Sequence, residues 1–258
     1  MALPRPQIAL QGVRGQLARL PQSRQASGLA GGLLLVVGIV LVALALMTIL
    51  WQDPVTAVFA QHDQKVLSQK LAATEKAPVA KSTLTLVQRA ESDPERIALL
   101  ARDLAHRSAA GDPLGRIDVS RMGVSFVFVS GTGVGSLKKG PGHYDHSVLP
   151  GLPGTVAIAG HRTTYSAPFR KMNRLRRGDK ISLTMPYGRF VYRVEGLRVV
   201  LPTNTGVLKH VRHNRLVLTT CTPVDSAAKR LVTTARLVRA VARGPAVTLV
   251  PTLPVAPL

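Results

Sequence analysis

The chain holds one cysteine, Cys221, in 258 residues. An intramolecular disulfide framework and a cysteine-cluster zinc site are both excluded by that count. Acids are scarce as well: 13 Asp and Glu stand against 34 Lys and Arg, for a formal net charge of +21. Between 114 and 243 the acids are Asp118, Asp145, Asp179, Glu195 and Asp225, scattered singly, so no calcium or other metal site is expected there. Aromatic residues make up 4% of the chain and offer little surface for stacking nucleic-acid bases. Apolar residues, by contrast, reach 46%, which excludes a disordered basic tail because such a segment lacks the material for a core.

Charge and apolar character are partitioned along the chain. Residues 1–27 carry Arg5, Arg14, Arg19 and Arg24 and no acid. Gly28 to Trp51 then runs 24 residues without a charge. At about 1.5 Å per residue such a helix reaches about 36 Å, enough to cross a hydrocarbon layer of about 30 Å. A secretory signal peptide has an apolar region of only about 7–15 residues. The expectation is a transmembrane signal-anchor helix over 28–51, ended by Trp51 as an interfacial anchor. The arginines before it place the 1–27 tail in the cytoplasm, and all that follows lies outside the cell membrane.

Residues 52–113 hold eight basic and eight acidic side chains. Apolar residues recur at helical spacing from Val55 to Leu71 and from Leu84 to Leu104, with a break at Ala77-Pro78 and a helix start at Asp93-Pro94. This pattern predicts an extracytoplasmic helical stalk or linker that holds the rest of the protein off the bilayer. From Leu114 the period changes to two: Met122–Val129, Thr155–Ile158, Lys180–Thr184, Phe190–Val194, Leu197–Leu201, Leu216–Thr220 and Leu231–Val241 all read as strands. Gly- and Pro-rich turns separate them, at Gly140-Pro-Gly142, Leu149 to Gly154, Arg177-Gly-Asp179 and Pro186-Tyr-Gly188. A mainly β domain follows, a closed barrel of seven or eight strands over 114–243, with about one helical turn within Phe169–Leu175. The 244–258 tail is too rich in proline for a central strand.

His161 follows the strand-like Val156-Ala-Ile-Ala159 and a glycine, and Cys221 ends Leu216-Val-Leu-Thr-Thr220. A thiol beside an imidazole is the minimum set for nucleophilic acyl transfer. Arg230 on the next strand can supply a positive donor to a developing oxyanion. Residue types alone leave a plainer reading open, in which the cysteine is a small buried hydrophobe and the histidine is structural. A solitary thiol in an oxidising compartment is at risk, which favours a reactive role.

Leu218-Thr-Thr-Cys221-Thr-Pro223, followed by Lys229-Arg-Leu-Val232, resembles the signature of sortases, the cysteine transpeptidases of Gram-positive cell surfaces. Val156-Ala-Ile-Ala-Gly-His-Arg162 resembles the histidine motif of that family. Lys139-Gly-Pro-Gly-His-Tyr144, Leu149-Pro-Gly151 and Ala159 to Tyr165 are similar to the actinobacterial class E group. The resemblance covers about 114–241. It implies Cys221 as nucleophile, His161 as general acid/base and Arg230 as the transition-state arginine, with Thr220, Tyr144 and His143 binding substrate.

It also implies cleavage of an LAxTG- or LPxTG-like sorting signal between Thr and Gly through a thioester, without a cofactor. The cleaved protein would pass to an amine of a lipid-linked cell-wall precursor. The implied partners are therefore secreted proteins bearing the signal, that precursor, and the membrane through 28–51, but no nucleic acid. Two other functions remain open from sequence: a cysteine hydrolase of cell-wall peptides, and a non-catalytic basic module that binds an anionic surface. Residues 115–243 carry 22 of the basic and five of the acidic side chains, so most of the net charge belongs to the barrel.

Overall fold

The computed structural model describes residues 24–50 and 54–248, with side chains over 30–46 and 56–248. The chain divides into two compact units at Leu46. In the first, α1 spans Arg24–Leu50, and its described side chains, from Leu33 to Leu46, are exposed and apolar. Among the described residues no helix is long and apolar enough to cross a membrane. Both ends of the expected 28–51 span, Trp51 included, lie outside the described side chains. The same holds for Arg5, Arg14 and Arg19 of the basic tail and for residues 249–258 of the Pro-rich tail.

In the second unit eight strands close into a barrel among the described residues, in the order β1-β2-β3-β4-β7-β8-β6-β5. They are β1 (Pro113–Val119), β2 (Val124–Ser130), β3 (Gly142–His143), β4 (Thr155–Ala159), β5 (Lys180–Met185), β6 (Gly188–Val200), β7 (Arg215–Thr222) and β8 (Lys229–Ala242). β2–β3 and β4–β7 are parallel, and the other pairs are antiparallel. Every second residue points inward, and Ile117, Phe128, Ile158, Leu183, Phe190 and Leu218 fill the interior with no exposed surface.

Several strands differ from the sequence pattern, and β3, two residues long, begins inside the turn expected at Gly140-Pro-Gly142. β1 does not read as a strand in the sequence: its alternation is confined to Gly115–Val119, with a glycine and only two apolar side chains facing in, after a bulge between Pro113 and Gly115. A Cβ on Gly115 would sit 2.6 Å from the Thr184 carbonyl oxygen, so only glycine allows β5 to approach. The two predicted strands 190–194 and 197–201 form one strand, β6, whose bulge at Val194/Gly196 resets the phase midway. β2 starts after Met122 because Ser120–Met122 forms a 3-10 turn closed by Gly123 at φ +68°. A similar turn at Met172–Arg174 stands where one helical turn was expected.

The segment expected as a stalk is helical, as α2 (Pro54–Lys76), α3 (Lys81–Arg89) and α4 (Asp93–Arg107). These helices do not stand free as an extended spacer. Ile97, Leu100, Ala101 and Leu104 form one stripe at helical spacing, and that stripe enters the main core of the barrel. Burying such a side chain contributes about 1.5–3 kcal/mol, so an exposed stalk would forfeit several such terms. Leu67 and Leu71 of α2 pack on Val127 and Val129 of β2. Gln64 grips the backbone there: its Nε2 donates to the Val127 and Lys139 carbonyls at 2.9 and 2.8 Å, and its Oε1 accepts from Val127 N at 2.8 Å.

Candidate active site

Strand register brings the three candidate catalytic residues together. β4 runs parallel to β7 with Ala159 level with Thr219. Gly160 N extends that pairing by donating to the Thr219 carbonyl at 3.0 Å. Two residues beyond these partners stand His161 and Cys221. β8 returns antiparallel to β7 and sets Arg230 directly opposite Cys221. All three therefore occupy one end of three neighbouring strands.

Alternation decides the face. Val156, Ile158, Leu216, Leu218 and Leu231 belong to the main core, whereas Ala157, Val217 and Val232 form a second cluster with Val207 on the other side of the sheet. Cys221 is in phase with Val217 and Arg230 with Val232, so these two share that outer face, and His161 follows two residues past the end of β4 beside them. Tyr144, Val200 and Leu208 pack on the same cluster. The result is an apolar floor leading to a half-buried thiol.

His161 is held from several sides. Thr220 Oγ1 donates to the Gly160 carbonyl at 2.7 Å, and Phe169 N donates to the His161 carbonyl at 3.0 Å. A Cβ on Gly160 would meet the Phe169 ring at 2.6 Å, which explains glycine before the histidine. The imidazole lies beside the Tyr165 ring, with centroids 5.1 Å apart and planes at 38°. Burial lowers its pKa and so favours the neutral ring. Tyr165, Ser166 and Ala167 then follow with φ of 51°, 62° and 40°, three successive left-handed residues without a glycine. The first turn of α2 holds this loop: Tyr165 N donates to Thr56 Oγ1 at 3.0 Å, and Ser166 Oγ donates to the Ala57 carbonyl at 3.4 Å.

The Arg230 guanidinium donates through Nη1 to the Ala227 and Lys229 carbonyls, at 2.9 and 3.2 Å. Arginine has five N–H donors, so others remain for a reactant. A second cation was missed in the sequence. Arg162 is 6% exposed and donates through Nη1 to the Cys221 carbonyl at 3.1 Å, while its buried Nε has no partner among the described residues. Burial first and Arg170 second pull its pKa down, and the Cys221 side chain pulls it up. It stands beside His161 in the motif, but an arginine there reads as a solvated charge until the fold shows it buried.

The residues expected to bind substrate fall into different positions. Thr220 and His143 are 3% and 5% exposed, with side chains spent on the framework. His143 Nε2 lies 3.0 Å from the Val148 carbonyl and 2.9 Å from Ser147 Oγ. The Ser147 hydroxyl donates to the Tyr144 carbonyl at 2.8 Å, so Nε2 carries the proton and donates to both. Burial lowers the pKa of this ring too. Tyr144 is half-buried, and its hydroxyl shares a hydrogen bond with Thr219 Oγ1 at 2.9 Å. Among the described residues no group of three or more His, Cys, Asp or Glu is arranged to hold a metal ion.

A family model described as the sortase domain matches residues 117–238, a stretch that contains every candidate residue. The solved structure of sortase E from Streptomyces avermitilis is 32% identical, and the match covers 52% of this chain and 93% of that one, with a TM-score of 0.48. The chain belongs to the sortase family. Sortase D of Bacillus subtilis is 33% identical over 127 residues, 47% of this chain and 62% of that protein. Sortase SrtE1 of Streptomyces coelicolor is 32% identical over 111 residues, which cover 38% of this chain and 32% of its own length. This sortase thus matches less than two thirds of either curated relative. A Clostridium perfringens sortase D5 transpeptidase, 26% identical, is covered in full by 62% of this chain at a TM-score of 0.50. Both D and E types occur among these relatives, so the likeness identifies the family rather than the class.

Proposed function

We propose that this sortase is a membrane-anchored cysteine transpeptidase of the class E type, in which Cys221, His161 and Arg230 perform the chemistry. The reading is supported by strand register, which puts Arg230 opposite Cys221 and His161 just past the neighbouring end of β4. Neutral His161 accepts the thiol proton as Cys221 Sγ attacks the Thr–Gly carbonyl of an LAxTG- or LPxTG-like signal. Arg230 donates to the oxyanion of the tetrahedral intermediate. The imidazolium then gives its proton to the glycine nitrogen, without which an amine departs poorly. A thioester remains on Cys221. An amine of a lipid-linked cell-wall precursor attacks it, His161 takes the proton of that amine, and the new amide is released.

Each peptide bond broken is matched by one formed, so the cycle needs no cofactor. The apolar floor of Ala157, Val217 and Val232 suits the aliphatic part of the signal. Tyr144 stands at its edge as the substrate contact of the class motif, and Thr220 and His143 contribute by fixing the backbone beneath it. The 28–51 segment anchors the N-terminus in the cytoplasm and leaves the barrel outside.

The test uses the full chain in detergent with a fluorogenic LAxTG peptide. Cys221→Ala is expected to abolish cleavage, and normal turnover by that variant would refute the assignment. An added amine should appear in the product. A product formed only with water would instead favour a hydrolase.

A further inference from the structure

The barrel carries a second built feature, remote from Cys221. β8, β6 and β5 are neighbours, and their outward side chains line an open groove of about 760 Å³. Its cations are Lys180, Arg189, Arg193, Arg239 and Arg243, and among the described residues no carboxylate lines it. Register sets Lys180 directly opposite Arg193, both lining the groove, whereas Arg236 opposite Arg193 on the next strand is paired with Glu195 at 2.8 Å. Like charges placed opposite one another destabilise a sheet, so folding alone gives no reason for this arrangement. Among the described residues Arg243 pairs with Glu75 at 3.5 Å, while Lys180, Arg189, Arg193 and Arg239 have no ion-pair partner. Arg193 rests on the Gly178 carbonyl at 3.4 Å, a contact that fixes its direction without neutralising it.

We propose that this groove docks a phosphodiester polymer that lacks aromatic bases. Guanidinium groups match phosphate oxygens with paired donors, and four of the five cations are arginine. Arg189 and Arg193 lie four residues apart on one strand, about 13 Å at about 3.3 Å per residue, so one phosphate cannot reach both. A chain of several phosphates can. Between the charges the floor is aliphatic, with Val191 and Val241, which suits a short polyol repeat. No aromatic side chain lines the groove, which removes the stacking platform that single-stranded nucleic acid uses.

The groove is separate from the catalytic cleft. Arg230 and Arg239 stand nine residues apart on β8, about 30 Å along the strand. Several Debye lengths of about 8–10 Å separate the two sites, so charge in the groove has little direct influence on the thiol. The groove is therefore a tether, which raises the local concentration of wall-bound acceptor without taking part in acyl transfer.

The test measures binding of the full chain, in neutral detergent, to synthetic poly(glycerol phosphate) across a salt series. Arg189→Glu/Arg193→Glu/Arg239→Glu is expected to weaken binding at least tenfold and to flatten the slope of log K against log salt by about two to three. Arg174→Glu/Arg176→Glu/Arg212→Glu, the same charge change elsewhere on the barrel, is expected to weaken it less than threefold. Equal losses in the two variants would overturn the proposal in favour of diffuse attraction. Groove-dependent binding to phosphatidylglycerol vesicles without binding to the polymer would overturn it in favour of a membrane surface. Peptide cleavage by the groove variant should remain normal, so failure of this proposal leaves the transpeptidase reading standing. A cleavage defect in that variant would contradict the separation of groove and cleft.

Discussion

Replacing Thr56 by valine tests whether the α2 terminus positions His161. Thr56 Oγ1 accepts the Tyr165 backbone N–H at 3.0 Å, and Val keeps the shape while removing the acceptor. Tyr165, Ser166 and Ala167 all sit at positive φ. Left-handed backbone costs about 1–2 kcal/mol per non-glycine residue, so this turn stores about 3–6 kcal/mol that nearby contacts must offset. Those contacts include the Thr56 and Ala57 hydrogen bonds, the Ala167 N to Thr164 carbonyl and Arg170 N to Ala167 carbonyl bonds at 2.9 Å, the Tyr165–His161 ring contact and the burial of Ala167. Loss of one such hydrogen bond costs about 0.5–1.5 kcal/mol. The open population of the loop should then rise about twofold to tenfold, since 1.4 kcal/mol is a factor of ten.

Hydrogen exchange read by mass spectrometry over 161–170 measures that directly, and those amides should exchange faster in Thr56→Val by the same factor. Tyr165 stacks on His161, so peptide cleavage should fall in kcat more than KM changes. A second change, Ser166→Gly, removes one strained position, because glycine adopts positive φ without penalty. It should slow exchange again when combined with Thr56→Val. Unchanged exchange in the single variant would refute the argument, as would faster exchange with fully normal kcat.

Three further outcomes follow from the same structure. Arg162→Gln removes a charged donor to the Cys221 carbonyl, so kcat/KM for peptide cleavage should fall about tenfold to hundredfold, the equivalent of about 1.5–3 kcal/mol. Normal kinetics with a full complement of active thiol would show that Cys221 needs no such support. Burial lowers the pKa of both His143 and His161, so the folded state binds fewer protons than the unfolded chain. Their contribution to stability is present above the unfolded histidine value of about 6.5 and is lost as pH falls from there toward the folded values. Thermal melts between pH 7.5 and 5 should show a falling Tm, with a shallower fall in His143→Gln. Leu104→Ala on α4 opens the core and should cost about 2–5 kcal/mol in chemical denaturation, whereas a helix standing free of the barrel would lose almost nothing.

How much of this was legible in the sequence depends on what each signal required. The barrel was legible because β5 alternates cleanly, while β4 and β7 are short apolar runs, Val156 to Ala159 and Leu216 to Leu218, buried on both faces and bounded by turn residues. The sequence places the proposed catalytic set at or just past strand ends, and the order of the strands is what brings those ends side by side. β6 reads as two strands because its bulge at Val194/Gly196 shifts the phase between them, while β1 and β3 do not read as strands because one presents only Ile117 and Val119 inward after a glycine and the other is two residues long. The helices of 54–107 were legible as helices but not as part of the barrel: a stripe such as Ile97, Leu100, Ala101 and Leu104 specifies that something covers it, never what does.

Arg162 and Thr56 were illegible for a deeper reason. One is a buried cation and the other a hydroxyl 109 residues away from the amide it accepts. Local sequence encodes how a residue sits on its own strand or helix, and catalytic groups at strand ends inherit their position from that. The groups that hold them in place act across the fold, so their chemistry appears only when distant segments meet. A site of this kind is thus half written in short motifs and half in long-range contacts, and the second half decides how firmly the loop after His161 is held.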